Sequence, residues 1–143
     1  MRQALYFCWA LFLIVAFTGC GNGNIGHVEG TVTLDGKPLP NAGIEFFPQA
    51  GGGLSAGRTD ENGHYELYYG REGMGAEVGE HLVQIRTAGI GSADGDYGPT
   101  SKELIPVQYN NRSELVRTVK AGSNTIDFDL ESKGRIVQPP SGY

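Results

Sequence analysis

The side chains able to do chemistry are few and far apart. Cys20 carries a thiol directly after Phe17-Thr18-Gly19, where an apolar run ends. His27, His64 and His81 each stand alone in a predicted strand, without the i, i+4 pairing of helical zinc sites and with no cysteine ligand near them. Solvated or rim positions are therefore expected for all three. Asp94-Gly95-Asp96, and Asp60 with Asn62, offer oxygens suited to calcium, but neither has a complete loop with a distal bidentate carboxylate. Solvated turns account for both. Tyr68, Tyr69, Tyr97 and Tyr109 are the candidates for an aromatic platform for sugar or peptide, or for packing at the core edge with wet hydroxyls. Ser55, Ser92, Ser101 and Ser113 lack a nucleophile-elbow context. No metal, cofactor or catalytic set is expected.

Cys20 draws its meaning from its surroundings. Arg2 precedes an apolar run over residues 4–17, small residues follow, and Gly21-Asn22-Gly23-Asn24 is polar and glycine-rich. This is the order of a secretory signal: a positive start, an apolar stretch and a small-residue cleavage site. The run is shorter than the roughly 20 residues of a comfortable membrane span. Phe17-Thr18-Gly19-Cys20 resembles a bacterial lipobox, with Phe17 where that family usually has Leu. The resemblance implies cleavage between Gly19 and Cys20, and acylation (palmitate among the chains) of the thiol and the new amine. An uncleaved anchor or an ordinary signal is the competing reading, but either leaves Cys20 an unpaired thiol in an oxidising compartment. Cys8 lies inside the signal and would leave with it, so no disulfide is expected. Gly21 is not the Asp that commonly retains lipoproteins in the inner membrane, so the resemblance implies the outer membrane.

Charge excludes other partners. The chain has 143 residues, 16 acidic against 11 basic, for a formal charge of −5. Nucleic acid and anionic lipid both reward basic patches, so neither is an expected partner through charge. Membrane attachment would come from acyl chains, worth about 0.8 kcal/mol per buried methylene.

The elements that position these residues are strands. Glycine is abundant, with 23 in the chain, and turn-forming pairs separate short alternating segments. Strands are predicted over 27–34, with Val28, Gly30, Val32 and Leu34 on one face, and over 42–47, with Ile44 and Phe46 inward. The pattern continues with 54–59 paired to 64–69 across Asp60-Glu61-Asn62-Gly63, then 80–87 with Val83 and Ile85 inward. An extended piece over 104–109 and a hairpin of 115–120 with 125–130 complete it, with Ile126, Phe128 and Leu130 inward. A long loop spans 88–102. About seven short strands without helices imply an all-β, antiparallel β-sandwich. The organisation expected is a signal over 1–19, a lipidated tether over 20–26, one domain over 27–131 and a flexible tail over 132–143.

Val28-Glu29-Gly30-Thr31-Val32, followed by Asp35-Gly36-Lys37-Pro38-Leu39-Pro40-Asn41-Ala42, resembles the opening of carboxypeptidase regulatory-like domains. Thr59-Asp60-Glu61-Asn62-Gly63-His64-Tyr65 is similar to the same family's second hairpin. The resemblance implies a transthyretin-like sandwich and specifies a fold better than an activity. Related hydroxyisourate hydrolases end in Tyr-Arg-Gly-Ser, whereas this chain ends in Ser141-Gly142-Tyr143. Lys37 sits in a turn and not in the first strand, so an internal isopeptide bond is not expected. The function expected is a non-catalytic, lipid-anchored envelope module with a structural role or with an envelope protein or saccharide as partner. The alternative is an envelope binding protein for a carbohydrate, peptide or ion.

Overall fold

Alternation of apolar and polar residues along the chain builds two sheets that face each other across one core. The computed structural model describes residues 24–70, 73–89 and 102–140. In chain order the strands are β1 (Ile25–Leu34), β2 (Lys37–Pro38), β3 (Gly43–Pro48), β4 (Ser55–Arg58), β5 (His64–Glu66) and β6 (Tyr68–Tyr69). They continue as β7 (Gly73–Met74), β8 (Ala76–Glu77), β9 (Gly79–Arg86), β10 (Leu115–Val119), β11 (Gly122–Thr125) and β12 (Phe128–Leu130). One sheet is built around β1, which pairs antiparallel with β2, β5 and β8 and parallel with β11 and β12. The other is antiparallel in the order β10-β9-β3-β4-β6-β7. The molecule is an all-β sandwich.

The core follows the expected parity. Val28 and Val32 of β1, Ile44 and Phe46 of β3, and Val83 and Ile85 of β9 are fully buried, and Phe128 and Leu130 close the layer from β12. Phe46 and Phe128 meet edge to face across the two sheets with centroids 6.3 Å apart, a geometry that adds to their area burial. Arg117 lies over the Phe128 ring, 4.9 Å from its centroid, and covers that end of the core. The Asp35-Gly36 turn joins β1 to β2 with φ of 50° and 76°, the left-handed pair that a two-residue hairpin requires.

Three local expectations are revised. The 54–59/64–69 hairpin is divided: β4 pairs with β6, whereas β5 joins β1 in the opposite sheet. The chain changes sheets at Leu67, whose side chain is buried between them. Next, 115–120 and 125–130 do not pair with each other. β10 lies beside β9, and the chain then crosses over to run along β1. Asn124 stabilises this crossover: its carboxamide accepts from Lys120 N (2.9 Å) and donates to the carbonyls of Lys120 and His27. In place of a fully extended 104–109, Val107–Tyr109 forms a short 3₁₀ turn.

The ends of the domain also differ from expectation. β1 begins at Ile25, inside the expected tether, because Gly26 pairs with Ala76 on one side and Gly122 on the other. The 132–140 part of the expected flexible tail is pinned. Val107 N donates to Arg135 O (2.9 Å), and Gln138 exchanges hydrogen bonds with the Glu103 backbone, both 2.9 Å. Ser132 N donates to Asp35 Oδ1 at 2.9 Å. Hydrogen bonds from the Ser132 side chain and amide hold the Asp35 carboxyl below its ordinary pKa.

Candidate functional site

Two strands bring the same short pattern together. β1 carries His27-Val28-Glu29 and β5 carries His64-Tyr65-Glu66. In each, the middle residue is buried and the flanking His and Glu point outward, as the two-residue period of a strand requires. The antiparallel register sets Glu29 opposite Glu66 and Thr31 opposite His64. The two carboxylates therefore form the centre, with His27 diagonal to Glu66 and His64 diagonal to Glu29.

The side chains converge. One ligand atom each from His27, Glu29 and Glu66 lies within 4.8 Å of the other two. His64 Nε2 is 3.8 Å from Glu29 Oε2. All four side chains are half-buried. Like charges directly opposite on paired strands repel, and among the described residues Glu29 has only His64 as an ion-pair partner. An imidazole with two carboxylates on one rigid face is a donor set suited to a divalent cation.

The backbone beneath this cluster is fixed where the pairing of β1 with β11 and β12 is interrupted at Ile126 and Asp127, without any change of register. Ile126 N donates to Glu29 O (2.8 Å), and the Ile126 carbonyl turns inward to accept from Tyr65 Oη at 2.6 Å. With the ladder interrupted there, the Asp127 carboxylate takes the place of a strand carbonyl and accepts from both Thr31 N (2.8 Å) and Thr31 Oγ1 (2.9 Å). Asp129 accepts from Thr33 Oγ1 in the same manner. The outward polar row of β1 is thus tied on both sides.

Burial raises the pKa of the Tyr65 phenol far above its ordinary 10.0; the Asp127 charge adds to this and Arg117 opposes it. A raised folded pKa stabilises the fold fully below the unfolded phenol's value, and that contribution is lost as pH rises through the folded value. The expected result is a fall in wild-type urea midpoint above about pH 10. Tyr65→Phe should show a weaker fall, after losing about 1 kcal/mol at neutral pH with its hydrogen bond. Equal alkaline slopes in the two proteins would remove Tyr65 from this role.

A second polar region lies where the C-terminal segment meets β9. Arg86, Glu103, Asn110, Asn111, Gln138 and Pro140 line a cavity of about 200 Å³. Glu103 is buried, and its carboxylate accepts from Thr87 N, Thr87 Oγ1 and Ile105 N at 3.0–3.1 Å and from Ala88 N at 3.5 Å. This carboxylate is committed to holding backbone. Arg86 reaches Glu45 at 3.1 Å and Gln84 at 2.6 Å.

The other sequence candidates are dispersed. Cys20, Gly19, Asp94, Asp96 and Tyr97 lie outside the described residues. Asp60 Oδ1 accepts from Asn62 N and His64 N, so it closes its own turn. Tyr68 and Tyr69 are adjacent on β6 and point to opposite faces; Tyr69 donates to Glu77, and Tyr109 accepts from Glu131 N. Ser113 Oγ donates to Val83 O and accepts from Leu115 N. His81, expected at the surface, is fully buried against Phe46, with Nδ1 3.1 Å from Gly79 O. It shares the inward parity of Val83 and Ile85, and this overrides its polarity.

The convergence of His27 and His64 on the carboxylates escaped the sequence reading, which sought helical or cysteine-based spacing. The usable signal was the repeated His-x-Glu on two alternating strands; what it lacked was the register. No family model, curated protein or solved structure matches the chain. Among the described residues, no helix is long and apolar enough to cross a membrane.

Proposed function

We propose that the chain is a lipid-anchored module of a bacterial cell envelope, held at the outer membrane by acyl chains on Cys20 and acting there without catalysis, as a structural or interaction domain. The observation that carries this reading is the apolar run closed by Thr18-Gly19-Cys20, with the first residue of β1, Ile25, following almost at once. Residues 21–24 span about 14 Å when extended. Cleavage and acylation would therefore hold the start of β1 close to the lipid surface.

The surface near that point supports the reading. Val78 N donates to Asn24 O, and the Val78 side chain is exposed. Exposed Met74 stands opposite exposed Tyr68, two residues before Ala76, the partner of Gly26. Apolar side chains at the tether's end suit a domain resting against lipid. The non-catalytic role is supported by the commitment of Asp60, Ser113 and Glu103 to backbone hydrogen bonds. The resemblance to transthyretin-like regulatory domains agrees with it. A second reading, an envelope ion-binding module, is favoured by the His27–Glu29–Glu66 convergence.

The test is intact mass and palmitate labelling of the native protein and of Cys20→Ala, with membrane fractionation. The wild type should begin at Cys20, carry acyl mass there and sediment with membranes; Cys20→Ala should incorporate no label. A wild-type protein that is unacylated and remains in the soluble fraction would overturn the proposal.

A further inference from the structure

We infer that His27, Glu29 and Glu66 form a binding site for a divalent transition-metal cation of the zinc class, with His64 as the partner that orients Glu29. The inference deepens the ion-binding reading and does not depend on acylation of Cys20.

The geometry supplies the first argument. Three donors within 4.8 Å of one another already surround a common point. Ligand atoms around a tetrahedral zinc, at bonds of about 2.0–2.1 Å, stand about 3.4 Å apart. Half-exposed side chains need close by at most about 1.4 Å to reach that arrangement. The strands themselves need not move. β1 is hydrogen-bonded on both sides, to β5 and to β11, and the adjoining Ile126–Asp127 segment is tied through the Asp127 carboxylate and the Tyr65 hydroxyl.

Charge supplies the second. Glu29 and Glu66 oppose each other directly, an arrangement that costs stability when both are ionised. A cation between them turns that repulsion into attraction. His64, with Nε2 3.8 Å from Glu29 Oε2, is placed to steady that carboxylate, the kind of neighbouring contact that fixes a metal ligand's orientation.

Donor chemistry selects the metal. Calcium takes six to eight oxygens and magnesium keeps an octahedral shell of oxygen and water, whereas an imidazole nitrogen with two carboxylates suits zinc and its neighbours. Three protein ligands on an open face leave a fourth position to water or to a donor from outside the chain.

The test is calorimetric titration of zinc chloride into the tag-free full chain in detergent, after chelator treatment and removal of the chelator, at neutral pH. Single-site binding in the micromolar range is expected, with calcium chloride giving at least a hundredfold weaker binding. His27→Ala and Glu66→Gln should each weaken zinc at least tenfold; both side chains are partly exposed, and far-UV circular dichroism checks that the variants fold. Cobalt supplies an independent readout. Bound Co2+ should broaden the His27 and His64 ring signals in NMR far more than those of buried His81. Absence of stoichiometric zinc binding would overturn the inference. So would zinc affinity unchanged in both variants, or equal broadening of all three histidines.

Discussion

Gly30→Ala is expected to destabilise the domain by about 3 kcal/mol or more, a severe effect for one methyl group. A Cβ at Gly30 would fall inside the contact distance of the Ile126 carbonyl, both its oxygen and its carbon. Those are backbone atoms and have no rotamer into which to escape. Moving Ile126 away would break its bond to Glu29 O, its bond from Tyr65 and the adjoining Asp127–Thr31 pair. Gly36→Ala is the control: its Cβ would meet no neighbour, and only its φ of 76° is unfavourable, worth about 1 kcal/mol. Urea unfolding monitored by circular dichroism compares the two. A Gly30→Ala midpoint equal to that of Gly36→Ala would contradict the close packing of Gly30 against the Ile126 carbonyl.

Glu103→Ala should lose about 3 kcal/mol. The carboxylate serves three backbone amides and the Thr87 hydroxyl in a site that is 6% exposed. Truncation leaves the three backbone amides buried without that acceptor, whereas the Thr87 hydroxyl keeps Lys102 O at 2.9 Å. Glu103→Gln keeps one acceptor oxygen and turns an amide donor toward the remaining N–H groups, so a loss of about 1–2 kcal/mol is expected. Hydrogen exchange locates the damage: the amides of Thr87 and Ile105 should exchange faster in Glu103→Ala, and Gln138 should lose its fixed side-chain signals as the C-terminal segment loosens. Unchanged exchange at these positions would show that Glu103 does not organise the segment.

What could be read in the sequence was parity. Alternation placed Val28, Val32, Ile44, Phe46, Val83, Ile85, Phe128 and Leu130 inside, and Asp127 and Asp129 outside, in agreement with their observed burial. The Asp35-Gly36 turn was equally local and equally visible. Pairing partners were not, because a two-residue period states which face a side chain takes and is silent on which strand lies beside it. That is why the sheet change at Leu67 and the crossover held by Asn124 replaced two simple hairpins. The same limit hid the His–Glu cluster, whose members were each visible and whose register was not. His81 and Glu103 are a different case: packing around each side chain outweighed the polarity of the residue type.

The parallel pairing of the first strand with the last two would have a mechanical consequence if the domain is held by its N-terminus, as proposed. β1 starts at one pole with Ile25 and reaches the other at Leu34, where β12 also ends at Leu130 and Ser132 bonds Asp35. A pull between an N-terminal anchor and that far pole would run along the strands, so the β1 ladder would be strained in shear, with many hydrogen bonds resisting together instead of parting one by one. The same pairing imposes an order on assembly. The central strand emerges during synthesis before its parallel neighbours and lacks them until residues 122–130 arrive, so its sheet closes only once those residues are available.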